Sequence, residues 1–566
     1  MTDSSTPAVP WWREYPDRLR WEIRELNSRG IKFSIDRAAL SAGVMRMYVV
    51  VRSSAITTEL EVTFPDLYPH FRPSARSSTL RLGHHLDPFG GDVCLIARGS
   101  RHWSESDSLG WLLEEQLPKV LADLIDPDQA EPISALMSYV PNSAVLIESD
   151  LLPPEEVTTG ELWIAATSVF PDGSDPWLGA VEVCSWAEGS VDGEATRALG
   201  LSNRFEGSWF RLQDAPASTD AAKLWRTDIS TPEQVVNDKV AVAYQLMLFP
   251  EEHAPGRTGT GAALLTRLSL SQPRATRRLS GQRGPIPAPS YALVRTSRVG
   301  ANDRSSRVPE LDDVSLASIL IVGCGALGSL IAEQLARAGV GELILVDGDV
   351  LDAGNLVRHS ADIFDVGLTK ASAVGRVAKR SAPGISVEVH EFMVGRASSG
   401  MRPLEESPMV RLTEAVERSH VVIDATAEIA VHEVLSKMAL ARRTTLVVAE
   451  GSPGAWGGTV ATIPAGASAC GNCLEFSRQG GLVPSPPANS VRVQPIGCSE
   501  PTFTGAGYDL AEVALQAVRA TVSEVRRIDP AETVIDIVEL RDPSGVPVLP
   551  RWNRVHIARR EECEWH

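Results

Sequence analysis

The chain has 566 residues, a hydrophobic content of 43% and a formal net charge of −18 at pH 7. Such a length and apolar content support about three or four domains with real cores, and the acidic balance argues against nonspecific nucleic-acid binding or an anionic membrane surface. No charged flank with an apolar core opens MTDSSTPAVPWW and no run of about 18 apolar residues occurs, so the expected location is the cytoplasm, with neither nucleic acid nor membrane as partner. Seven cysteines, an odd number over a long chain, point to thiols, metal ligation or catalysis rather than a disulfide framework.

In EYPDRLRWEIRELNS, residues 14–28, Leu19, Ile23 and Leu26 fall near helical spacing and predict an amphipathic first helix. MRMYVVVRSS and TELEVTFP read as successive antiparallel strands, and the prolines of FPDLYPHFRP forbid continuation of a central strand. Cys94 follows Gly90 and Gly91 in an extended stretch, and a loop with His102 and Trp103 then precedes a predicted helix from Leu109 to Ile125. In isolation VCL is a small buried hydrophobe, and His102 and Trp103 read as braces of their loop. The order of helix, hairpin strands, FP and YP, cysteine, tryptophan and closing helix resembles the α+β ubiquitin-conjugating fold, assigned to residues 1–130. That resemblance implies that Cys94 accepts an acyl group by thioester exchange and passes it to an amine, which suits a thiol of unshifted pKa about 8.5. Eukaryotic members carry His-Pro-Asn before the cysteine; here the stretch reads HHLDPFGG, leaving His84, His85 and Asp87 as candidate polar helpers.

Residues 131–285 carry no evident chemistry. ELWIAAT and WLGAVEVCSWAEG predict strands of a mixed domain, VVNDKVAVAYQLMLF predicts a helix, and Cys184 reads as core. RATRRLSGQRGPIPAPSYALVRTSR, residues 274–298, has the composition of a linker or exposed loop. The middle reads as a spacer setting the reach between two thiols, with a regulatory or docking domain as the alternative.

From 286 to 566 the pattern is α/β and doubly wound. Ser318 to Val322 reads as a buried parallel strand, and Gly323, Gly325 and Gly328 turn the chain into a helix beginning near Ala326. Glycines there let N–H groups approach an anion, and the helix dipole adds its positive end. A strand from Glu342 to Val346 delivers Asp347 where an acidic side chain meets a ribose hydroxyl. The glycine pattern alone is shared with nicotinamide and flavin enzymes. Asn355 and Arg358 in GNLVR, then Lys370, add an amide and two cations, which suit the triphosphate of ATP and its transition state better than a pyrophosphate. HVVIDAT ends a strand at Asp424, where a carboxylate can hold magnesium (Mg2+) beside the phosphates.

Together the glycine loop, Asp347, Asp349, Asn355, Arg358, Lys370 and Asp424 resemble the ubiquitin-activating enzymes and the ThiF/MoeB-like adenylating enzymes of molybdopterin and thiamine pathways, over about residues 310 to 525. The resemblance implies a Rossmann-like domain that activates a protein's C-terminal carboxylate as an acyl adenylate. Gly323, Gly325, Gly328, Asp347, Asp349, Asn355, Arg358, Lys370 and Asp424 would hold ATP and magnesium. It also implies a homodimer, with an arginine from the partner subunit; Arg295, Arg298, Arg304 and Arg307 are the candidates.

Cys498 closes a Gly-, Pro-, Ser- and Gln-rich stretch from Ser477 to Pro495 that reads as a mobile surface loop. It is either a structural cysteine before a helix or, as in the related enzymes, the thiol that takes the acyl group from AMP. Cys470 and Cys473 (CxxC) with Cys563 and His566 (CxxH) could supply four tetrahedral ligands to a structural zinc (Zn2+). Cys324 reads as a small core residue. The head-to-tail fusion resembles the bacterial conjugation enzymes of CBASS antiphage operons, in which the C-terminus of a cGAS-like nucleotidyltransferase is joined to a lysine-bearing acceptor. The alternatives are conjugation of a separate ubiquitin-like protein, a sulfur-carrier activating enzyme with an idle Cys94, and a nicotinamide-dependent oxidoreductase or nucleotide-binding scaffold.

Overall fold

The computed structural model describes residues 9–53, 56–80, 92–93, 95, 103–121, 137–148, 152–168, 175–185, 199–216, 218–236, 240–254, 257–270, 288–299, 308–395, 407–489, 503–527 and 532–565. Three sheets follow one another along the chain. In the first, the strands Lys32–Ile35, Arg46–Ser53, Ile56–Thr63, Ser74–Arg76 and Asp92–Val93 lie in sequence order as an antiparallel meander. The first helix expected over residues 14–28 runs from Pro16 to Ser28, preceded by a separate helical turn Trp11–Glu14, with Pro16 at a position where a missing N–H costs nothing. A helical segment follows from Leu109 to Leu121, with a π-helical turn over Leu112–Gln116. Leu26, Val49, Leu60, Val62, Leu112 and Val120 meet in the core between these elements.

One buried charge ties this unit together. Glu22 is 0% exposed. Its Oε1 accepts from the Tyr68 hydroxyl and pairs with Arg18 at 2.7 Å, and its Oε2 accepts from the Leu109 N–H at 2.9 Å. Trp103 braces the neighbouring loop by donating from Nε1 to the Pro69 carbonyl at 2.8 Å. Val93 and Leu95 are buried on either side of Cys94. Cys94 itself, His84, His85, Asp87 and His102 lie outside the described residues.

The middle sheet has eight strands. The segment predicted as a helix is instead the strand Val240–Ala254, paired antiparallel with Arg257–Leu270 and parallel with Asn203–Arg211. Residues 241–249 are buried without interruption. A strand covered on both faces shows no alternation, so its apolar run cannot be told from a helix by period. Cys184 lies on the strand Trp177–Ser185. The end of the expected linker is also a strand: Ser290–Arg298 pairs with Arg257–Leu270 and Ser143–Ile147, which carries the middle sheet past the expected boundary at 285.

The third sheet runs in the order Ser386–His390, Glu342–Val346, Ser318–Val322, Val421–Asp424, Thr445–Gly451, Gly457–Ile463, Val534–Arg541 and Pro547–His556. The first five strands are parallel and the last three antiparallel. Every residue of Ser318–Val322 is buried. Ile319 and Ile321 enter one core with the helices Ala326–Ala338, Lys370–Ser381 and Gly507–Val525. Leu320 and Val322 enter another with Pro408–Arg418, Ile429–Arg442 and Gly471–Gln479. Alternate residues of one strand thus feed both faces, the arrangement of a doubly wound sheet. Helix Gly471–Gln479 takes in the start of the expected loop. The Ser452 hydroxyl then donates to Pro487 O at 2.5 Å and the Asn489 N–H to Pro453 O at 2.7 Å, so residues 487–489 are anchored.

Candidate active site

Strand order reverses at Ser318–Val322, which lies between Glu342–Val346 and Val421–Asp424. A cleft opens at such a switch point, beyond the carboxyl ends of the parallel strands. Gly323 leaves the strand at φ +88°, and a Cβ there would lie 2.9 Å from the Ala425 carbonyl. A Cβ on Gly328 would collide with the Gly323 carbonyl oxygen. The helix therefore sits on the loop because both positions lack a side chain. Gly325 caps this helix without a side-chain hydrogen bond, which leaves first-turn N–H groups for an anion.

Asp347 is committed to the loop. Its Oδ2 accepts from the Cys324 N–H and its Oδ1 from the Asp349 N–H, each at 2.8 Å. Burial raises its pKa against those two bonds, which lower it. Asp349 accepts from the Lys370 N–H at 2.8 Å through its carbonyl and pairs with the Lys370 ammonium through its carboxylate. Asn355 Oδ1 accepts from the Asp352 N–H at 3.0 Å inside the 3-10 turn Ala353–Asn355. Asp365, fully buried, holds Arg376 at 3.2 Å and Arg380 at 3.0 Å and so fixes this arm on helix Lys370–Ser381.

Arg358 differs from every other cation of the site. Half-buried, it lies 6.0 Å from the centre of the Phe503 ring, and among the described residues no carboxylate pairs with it. Burial lowers its pKa. Gly325, Asn355, Arg358, His359, Lys370 and Thr426 line a cleft of ≈ 250 Å³, together with Gly451, Phe503 and Leu510. A partly desolvated guanidinium facing an uncapped helix start is an anion site in search of its anion.

Asp424 behaves otherwise. It is 2% exposed. Its Oδ1 accepts from the Thr426 N–H at 3.1 Å and hydroxyl at 2.7 Å, and its Oδ2 stands 3.5 Å from His432 Nδ1. It is not among the residues lining the cleft. Arg295 and Arg298 lie on the middle sheet, where the Arg295 guanidinium stacks 4.9 Å from the centre of Tyr139. Arg304, Arg307 and Cys498 lie outside the described residues. Sequence reasoning missed His359, Ser360, Thr426 and Phe503. Only His359, adjacent to Arg358, had a signal in its position.

A second constellation sits on the other face of the sheet. The sulfurs of Cys470, Cys473 and Cys563 all lie within 4.8 Å of one another, those of Cys470 and Cys563 at 3.5 Å. Thiolates on a tetrahedral zinc, at about 2.3 Å from the metal, stand about 3.8 Å apart, so the spacing fits. Asn472 donates from Nδ2 to Cys563 Sγ at 3.5 Å and the Arg560 N–H to Cys473 Sγ at 3.3 Å, the outer bonds that thiolate ligands receive. Burial pushes Cys470 up to about 12. At Cys563 burial is outweighed by the Trp565 N–H and by bonds from Cys470 and Asn472, which hold it down. His566 lies outside the described residues, and Cys324 is buried in the core.

Residues 301–537 match the model of the ThiF family. Along almost its whole length the chain is similar to the protein y4oA of Sinorhizobium fredii (strain NBRC 101917 / NGR234), 27% identical over 98% of this chain and 97% of that one. The ATP-dependent ubiquitin transferase-like protein Cap2 of Enterobacter hormaechei subsp. hoffmannii (strain UCI 50) is 32% identical over 128 residues, covering 23% of this chain and 21% of Cap2. Ubiquitin-like modifier-activating enzyme 5 of Caenorhabditis elegans is 34% identical over 98 residues, covering 17% of this chain and 23% of that one. The glycine loop and the switch-point cleft agree with that match, and the C-terminal part of this chain resembles the ThiF family on a doubly wound, Rossmann-type sheet.

Proposed function

We propose that this chain uses ATP to activate the C-terminal carboxylate of a partner protein and then passes the acyl group along two of its own thiols. A carboxylate oxygen attacks the α-phosphorus, the bond to the bridging oxygen breaks, and pyrophosphate leaves. The Cys498 thiolate then attacks the acyl carbon and releases AMP. Exchange onto Cys94 frees Cys498, and a lysine amine of the acceptor finally displaces Cys94 to form the amide. The observation that carries this reading is the half-buried Arg358, with no carboxylate partner among the described residues, lining one cleft with an uncapped helix start and Lys370, a cradle for anionic charge. Lys370 lines the cleft while paired with Asp349, so a triphosphate would compete with that carboxylate for the ammonium. Asp424, whose Oδ1 accepts from Thr426 and whose Oδ2 stands 3.5 Å from His432, would be the residue to hold magnesium, and no step is routed through that ion.

The names borne by Cap2 and by modifier-activating enzyme 5 support a protein cargo rather than a small acid. The tail of a cGAS-like nucleotidyltransferase in antiphage defence is the cargo proposed, and a ubiquitin-like protein is the rival. Exchange of labelled pyrophosphate into ATP, with C-terminal peptides of each supplied in parallel, tests the first step and chooses between them. Mass spectrometry of the adducts tests the relay: Cys498→Ala abolishes every acyl adduct, whereas Cys94→Ala leaves the Cys498 thioester and removes the final conjugates. Conjugates that persist in Cys94→Ala protein would sink the relay and leave only activation.

Two structural accompaniments belong to the same reading. Cys470, Cys473 and Cys563, with His566 as fourth ligand, hold a structural zinc that pins residue 563 to helix Gly471–Gln479. Metal analysis should return one zinc per chain, and Cys473→Ser should lose it. Ile363 and Phe364, the latter 84% exposed, stand beside the site arm and fit burial against a second copy of the chain. Light scattering at about the monomer mass would refute that pairing.

A further inference from the structure

One buried titratable group of the cleft is left without a task. His359 is 8% exposed and follows Arg358 directly. Its Nδ1 receives the Ala361 N–H at 3.0 Å. A backbone N–H can only donate, so Nδ1 carries no proton and the neutral ring keeps its proton on Nε2. Nε2 therefore donates to the Cys324 carbonyl, 2.9 Å away, in the middle of the glycine loop. The next residue adds two bonds to the helix that follows the loop. The Ser360 N–H donates to Ser329 Oγ and the Ser360 hydroxyl to Ser329 O, both at 3.2 Å.

We propose that His359, as the neutral Nε2–H tautomer, is a positioning residue that locks the Arg358 arm onto the glycine loop, so that guanidinium and loop N–H groups form one rigid anion cradle. The inference rests on the adenylating reading of the cleft. Without the clamp, this segment keeps the Ser360–Ser329 bonds and the Phe503 contact but loses its tie to the glycine loop, and the guanidinium is less firmly placed against the loop N–H groups. A proton added at Nδ1 would point at the Ala361 N–H and break the clamp.

Burial disfavours that proton most. Against it the Cys324 carbonyl favours the charged ring, Lys370 disfavours it and Asp365 favours it, leaving the pKa below the ordinary histidine value. Depressed in the folded state, the group contributes stability that is whole above about pH 6.5, the ordinary value, and is lost as pH falls toward the folded one.

His359→Leu removes the donor and His359→Gln keeps an N–H that reaches the Cys324 carbonyl. In pyrophosphate exchange by the full chain, His359→Leu should lower kcat/KM for ATP by roughly 100-fold, chiefly in kcat, while His359→Gln stays near wild type and loses the acidic limb of the pH profile. Nitrogen NMR of the wild-type ring, assigned by difference from His359→Gln, should show a protonated Nε2 and a bare Nδ1 at neutral pH. A ring protonated on Nδ1, or a folded His359→Leu protein with exchange within about twofold of wild type, overturns the clamp. If His359→Leu does not fold, the His359→Gln profile and the tautomer decide. Wild-type protein that neither binds nor exchanges ATP overturns the adenylating reading instead, and the tautomer alone then judges the clamp.

Discussion

Two charged side chains, one in the first sheet's domain and one in the third's, are taken out of water to different ends. Glu22, in the first sheet's domain, meets a guanidinium, a phenol and a backbone N–H, so its lone pairs are answered within the protein. Arg358, at the switch point, meets an aromatic ring and no acid among the described residues. Taking a charge out of water costs several kcal/mol unless partners offset it, and only the first has hydrogen-bonding partners supplied by its own fold. The contrast separates a brace from a binding group more sharply than burial alone, because both are buried to some degree.

Substitutions can break this contrast. Glu22→Ala strands the Arg18 charge, the Tyr68 hydroxyl and the Leu109 N–H, and should cost about 3–5 kcal/mol, read by calorimetry as a fall of the transition that contains the first domain. Pyrophosphate exchange should be untouched at temperatures where that domain is folded. Arg358→Ala should do the reverse, lowering exchange by roughly 100- to 1,000-fold with the melting profile unchanged. Equal losses of stability and activity in either variant would erase the distinction. Arg358→Lys keeps the charge without the fork and should fall between, at about tenfold.

The smallest expected effect is on pH. Burial holds the Glu22 pKa above the ordinary glutamate value despite the bonds that lower it. A raised carboxyl contributes stability below the ordinary value, about 4.3, and loses it as pH climbs through the folded value. Glu22→Gln should flatten that slope in chemical denaturation. A slope of the opposite sign would mean that the bonds to Arg18 and Tyr68 outweigh burial.

The sequence declared the third sheet more openly than the second, for a physical reason. Ser318–Val322 is short, apolar after Ser318 and followed directly by Gly323, and Asn355, Arg358 and Lys370 all line the switch-point cleft. Val240–Ala254 is longer and covered on both sides, so its composition spoke for a helix as well as a strand. Legibility also failed at the level of contacts. Asp424 sits at the strand end where spacing placed it, and nothing in HVVIDAT announces that its Oδ2 stands 3.5 Å from His432, eight residues further on. The clamp of His359 was hidden likewise, because a tautomer is set by the Ala361 N–H and no string of letters records it.

The outermost strand of the third sheet, Pro547–His556, carries a last consequence. Pro547 and Pro550 withhold backbone donors, and Arg551 and Arg554 reach back to Glu539 at 3.9 Å and Asp536 at 2.7 Å on the inner neighbour. Such a rim refuses to recruit strands from neighbouring chains. This edge of the third sheet is thereby kept from seeding aggregates, and replacing those prolines and arginines with valine should be felt first in the solubility of the purified protein.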